Sequence, residues 1–239
     1  MCEKEKMSLV LIFKNTSSYY SEIIRIIQEK YHSSENKDEK PLLNIVLLQQ
    51  ALQYIEAIGA RCVACEKGPY AEFIEVFVKY NPDLINNFYQ KAHKLSYDDL
   101  TTILSYHYDS YWPEDIDKDE IHKRINKSIK VLKECLIKFA KFWKEYHNLY
   151  NATKHGGRYW IIEAIYKPTG ELRYGIQWIK NDHSFDERFI SADEIVDTVD
   201  SIRKCGEKIM KAIHSNREYS YTEKEEVNPD KYIFLDNAR

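Results

Sequence analysis

With 239 residues, 44% of them hydrophobic and 19 of them tyrosine, the chain can fill a sizeable core as one large domain. Its net charge is −3, and no apolar run approaches the roughly 18 residues of a membrane span, so no membrane protein is expected. Residues 1–6 are too acidic, and the apolar run after them too short, for a secretory signal. Five scattered cysteines, an odd number, suit a reducing compartment, so the expected location is cytoplasmic.

Residues 8–13 are a short apolar run that periodicity alone assigns to neither strand nor helix. Ile23, Ile24, Ile27 and Tyr31 share one helical face, which predicts a first helix over 18–31, followed by a polar loop through Lys40. Leu43, Val46, Leu47, Ala51, Tyr54, Ile55 and Ile58 recur at helical spacing, so 42–65 reads as a buried helix punctuated by Gly68-Pro69. Another helix is expected through Phe73, Val76 and Phe77. Asn81-Pro82 has the cap and first-position proline of the next, and Ser96 with Asp99 marks a further start. Cys62 and Cys65 have metal-ligand spacing but lie in a helix without a second pair, so they are read as core thiols.

The longest pattern begins at Ile121. Ile121, Ile125, Leu132, Leu136, Phe139, Trp143, Tyr146 and Tyr150 form one apolar stripe, with Lys123, Lys127, Lys130, Lys138, Lys141 and Lys144 opposite. Residues 121–158 hold eight Lys and two Arg against Glu134 and Glu145, a local net of +8 in an acidic chain. That excess reads either as a footprint for RNA or another polyanion or as an ordinary solvated face. His147, Asn151 and His155 follow at i, i+4 and i+8 along the edge between the two faces. The two histidines are about 12 Å apart along the axis, too far to share a metal ion, so no metal and no cofactor is expected. Gly156-Gly157 end the helix and leave His155 in its last turn, either as a cap or as a working group.

The stretch Tyr150-Asn151-Ala152-Thr153-Lys154-His155-Gly156, closing a long helix in a mostly helical chain, resembles the signature region of the HEPN superfamily. The resemblance extends over roughly residues 41–215. It implies a helical bundle, often dimeric, in a superfamily with many metal-independent ribonucleases of toxin, antiviral defence and RNA-processing systems. The usual motif is Arg, a polar residue, a spacer and His. Asn151 and His155 match it, while Tyr150 stands where the Arg belongs.

Beyond the glycine pair the period changes to two, which predicts a β-hairpin of Tyr159–Tyr166 and Leu172–Ile179. Its aromatics, Tyr159, Trp160, Tyr166, Tyr174 and Trp178, suit packing or base stacking. Asp186–Ile190 suggests a third strand, and Ser191 with Glu194 a capping box for a last helix over 192–214. The expected architecture is therefore mainly α: a single helical domain over 1–215 with a β insertion at about 158–190, then a charged tail over 216–239 with one docking segment at Tyr232-Ile-Phe-Leu235.

Two functions fit these expectations. One is a catalytically degenerate HEPN-like module that binds RNA, a nucleotide or a partner protein and assembles as a homodimer, with Lys138, Lys141, Lys144 and His147 as its binding surface. The other is a metal-independent ribonuclease in which His155 moves a proton, Asn151 orients the phosphate, and Lys154 or Arg158 replaces the cation that Tyr150 lacks.

Overall fold

The computed structural model describes residues 3–36, 38–66, 81–106, 114, 117–154, 157–166, 171–180, 182–189, 192–222 and 231–235. Among these it is mainly helical, with six α-helices and one three-stranded antiparallel sheet that precedes the last long helix. No helix among the described residues is long and apolar enough to cross a membrane.

Helix α1 spans Glu3–Ser33 and absorbs the 8–13 run, since extending a formed helix costs far less than starting one. Helix α2, Glu39–Glu66, starts three residues earlier than the pattern suggested. Pro41 is tolerated in its first turn, where backbone N–H groups lack helical partners anyway. The helix expected around Phe73, with Gly68-Pro69 before it, lies outside the described residues. Helix α3, Pro82–Lys91, is capped by Asn81, whose side chain accepts from the Asp83 N–H at 2.9 Å; a 3-10 turn, Ala92–Lys94, follows. Helix α4, Tyr97–Leu104, opens with the expected reciprocal box: Asp99 N–H to Ser96 Oγ at 3.1 Å and Ser96 N–H to Asp99 Oδ2 at 2.8 Å.

Helix α5, Lys118–Lys154, runs for 37 residues, and Asp117 accepts from the Glu120 N–H at its start. Strands β1 (Tyr159–Tyr166), β2 (Glu171–Ile179) and β3 (Phe185–Phe189) form the sheet in the order β1-β2-β3. The register sets Trp160 opposite Gln177 and Gln177 opposite Glu187. Helix α6, Ala192–Thr222, continues eight residues beyond the expected end at 214. Ser191, its expected cap, lies outside the described residues. The extension is held by tertiary contacts of polar residues, which a periodicity of apolar ones cannot register: Asn216 and Arg217 are both buried.

The chain divides into two compact units. Unit 1 comprises Met1–Tyr19, Ile55–Ala140 and Lys204–Arg239; unit 2 comprises Tyr20–Tyr54 and Lys141–Arg203. In unit 1, Ile58, Ile85, Leu100, Leu132, Phe139 and Ile213 are core residues. Helices α2 and α3 approach closely at Gly59, where a Cβ would stand 2.9 Å from the Tyr89 ring, and the Tyr89 hydroxyl donates to the Ile55 carbonyl at 2.6 Å. The 231–235 segment docks here. Asn216 Nδ2 donates to the Ile233 carbonyl and its Oδ1 accepts from the Ile233 N–H, Ser128 Oγ accepts from the Leu235 N–H at 2.8 Å, and Arg124 covers the Phe234 ring.

In unit 2 the core is built from Ile24, Leu47, Leu48, Trp143, Ile176 and Val199. Gln28 on α1 donates to the Val196 carbonyl of α6 at 3.2 Å. Arg188 of β3 pairs with Glu145 of α5 and lies over the Tyr146 ring, which fixes the edge strand to the helix.

Candidate nucleic-acid interface

The eight apolar stripe residues of α5, from Ile121 to Tyr150, are all buried, and this burial dictates which way the lysines face. Lys123, Lys127, Lys130 and Lys138 are exposed in unit 1, and Lys141 and Lys144 are exposed in unit 2. Neither Lys141 nor Lys144 makes an ion pair with any described residue, whereas Lys123 approaches Glu120 and Lys133 donates to the Leu95 carbonyl. Glu145, one of the two acids among the ten cations of 121–158, is already paired with Arg188. The positive face of this helix is thus less neutralised by its own acids than its sequence suggests.

At the C-terminal end, Tyr150 is 3% exposed and packs on Trp143, ring centres 5.8 Å apart. The ring thus serves the core at the position where the resembled motif would carry an Arg. Lys154 is exposed in the last turn, its Nζ 5.2 Å above the Tyr150 ring. Asn151 is half-buried on the intervening turn. His155 and Gly156 lie outside the described residues. Gly157 has φ +83, a left-handed conformation that glycine adopts without strain, and two residues on the chain is already paired as strand. Arg158 is half-buried between them, its carbonyl accepting from the Ile179 N–H at 2.9 Å.

His147 is half-buried and stacks on Trp143 at 6.2 Å, with an interplanar angle of 25°. Its Nδ1 is buried near the Lys144 backbone but makes no hydrogen bond of good geometry with the described residues. Burial holds the imidazole below its ordinary value, against the weaker opposing pull of the Lys144 backbone. Below a pH of about 6.5 the unfolded chain therefore takes up a proton that the folded chain refuses, so stability falls as pH drops. The unfolding midpoint of the wild type should fall more between about pH 7 and pH 5 than that of His147→Gln, with thermal melts at each pH as the check.

The sheet divides the aromatic residues between two faces. Trp178 and Ile176 are buried on one. On the other, Trp160 is 37%, Phe185 60% and Phe189 43% exposed, and the Trp160 and Phe185 rings meet edge to face at 5.7 Å. Phe189 crosses Gly175, where a Cβ would meet its ring at 3.0 Å and Ile162 at 3.1 Å. Tyr159 and Tyr174 are half-buried, and the Tyr166 side chain lies outside the described residues. Phe185, Phe189 and Arg188 were not singled out from the sequence, although the alternation Phe-Asp-Glu-Arg-Phe places both rings on one face of β3.

Among the described residues, no group of three His, Cys, Asp or Glu is placed to hold a metal ion. No family model matches the chain, nor does any curated protein or solved structure.

Proposed function

We propose that this chain is a HEPN-like module that binds RNA or a nucleotide and oligomerises, most simply as a homodimer, without catalysing RNA cleavage. The observation that carries the reading is the pairing of an exposed lysine face on α5 with a core tyrosine at the signature's cation position. Exposed lysines attract phosphate wherever the backbone passes, and counterion release makes that attraction salt-dependent without any demand on sequence. Cleavage asks for more: a positive charge held against the developing charge of the transition state. Tyr150 supplies none, and Lys154, on the outside of the last turn, keeps its ammonium over the Tyr150 ring.

The direct test uses the full chain, a fluorescein-labelled unstructured RNA and EDTA. Anisotropy should report binding at low salt that weakens as salt rises, while gel analysis should show the RNA intact. Absence of binding at low salt would count against the reading and favour a protein partner. Robust cutting that falls by about 10²-fold or more in His155→Ala, with binding kept, would restore the ribonuclease instead and direct attention to Lys154 and Arg158.

A further inference from the structure

On the buried side of α5, unit 1 holds two thiols that meet across a helix pair. Cys135 sits in the buried stripe of α5, between Leu132, Leu136 and Phe139, and Cys205 is half-buried on α6 between Ile202 and Ile209. Neither is in a disulfide, and their side chains are hydrogen-bonded to each other.

The docked 231–235 segment supports the same helix pairing independently. Ser128 on α5 holds the Leu235 N–H and Asn216 on α6 holds Ile233, so the two side chains grip backbone groups only about two residues, some 7 Å, apart on one short segment. From Ser128, Cys135 is seven residues on, close to two full turns; from Asn216, Cys205 is eleven residues back, close to three. Each step returns to the face it left, in opposite chain directions, as antiparallel neighbours require.

We infer that Cys135 and Cys205 are a reversible dithiol–disulfide pair that joins α5 to α6 covalently when the protein meets a peroxide. Access decides the order of events. The thiolate of Cys205, the more exposed residue of the two, attacks one peroxide oxygen; the S–O bond forms, the O–O bond breaks and hydroxide leaves. Cys135 then attacks the sulfenic sulfur, the S–S bond forms, and the displaced hydroxide leaves as water with the Cys135 proton. Each sulfur loses one electron and the peroxide gains two. Within the resting pair, the Cys205 contact and burial hold the Cys135 thiol protonated, against the nearby Lys138 charge, so Cys135 waits as the resolving partner.

Cys62 and Cys65 make the contrast. They lie one turn apart on a single helix, both fully buried, and burial raises both thiols. No half-exposed sulfur is available there to start the reaction.

Full-length reduced protein treated with hydrogen peroxide, then denatured, alkylated and digested, provides the test. The expected result is a mass loss of about 2 Da, a cross-linked peptide pair holding Cys135 and Cys205, protection of both from alkylation, and full reversal by dithiothreitol. In Cys205→Ser, Cys135 should stay alkylatable at the same peroxide dose. Peroxide that oxidises Cys205 to the sulfinic acid while Cys135 stays fully alkylatable, or that links either cysteine mainly to another partner, would overturn the inference, and the wild-type map alone decides between these outcomes.

Discussion

Changing Lys138, Lys141 and Lys144 to Glu should weaken the binding of unstructured RNA by about 50-fold at 0.15 M salt and flatten the plot of log K against log salt by about 2. Each phosphate contact to a single strand contributes a slope of about −0.7, so three lost contacts contribute about 2.1. Referred to 1 M salt, that exponent at 0.15 M corresponds to roughly a factor of 50. Charge reversal adds repulsion, so the factor is a lower bound. All three side chains are exposed on α5, so the fold should survive and circular dichroism melts should be unchanged. The same reversal at Lys91, Lys94 and Lys211, also exposed, separates a local footprint from a general charge effect. Equal loss from both triple variants would sink the assignment of binding to this face.

That prediction was reachable from sequence because one helix determines it. The stripe from Ile121 to Tyr150 repeats through more than eight turns, and a pattern that long leaves only one way for the lysines to point. Capping was equally readable at Asn81 and at Ser96 with Asp99, since both are local hydrogen bonds between residues two or three apart. Long-range pairings were not. Nothing in residues 141–150 reveals that Glu145 belongs to Arg188, 43 residues later, and so the local charge had to be counted without that pairing. For β3, alternation groups Phe185 with Phe189 but does not say whether their face is covered; the structure turns the charged Asp186 and Arg188 inward and leaves the rings out. Likewise His147, legible as an edge residue, proves half-buried because Trp143 rises beside it one turn earlier. The stretch that resembles the HEPN signature is the least legible part. Its short match specifies neither the placement of His155 nor the depth of Tyr150, which the packing of Trp143 against its ring decides.

Asn216→Ala should cost about 2 to 3 kcal/mol, because it removes two hydrogen bonds at once from a side chain that is 0% exposed. Each such bond is worth about 1 kcal/mol net, and stranding the Ile233 N–H or carbonyl adds a desolvation penalty. In a chain of this length the unfolding midpoint should fall by roughly 4 to 12 °C. The amide acts through the segment it clamps: Tyr232 and Leu235 are buried, the Tyr106 hydroxyl donates to the Ile233 carbonyl, and Ser128 takes the Leu235 N–H. Truncation after residue 230 removes all of these together. If Asn216 stabilises the protein mainly by holding this segment, the truncated chain should lose comparable stability, and Asn216→Ala made in the truncated chain should cost well under half of its cost in the full chain. Additive losses would mean that Asn216 stabilises α6 by itself and that the 231–235 segment docks without it. Non-additive losses would explain why α6 runs past its last aliphatic residue, Ile213, to Asn216, the side chain that holds the returning segment.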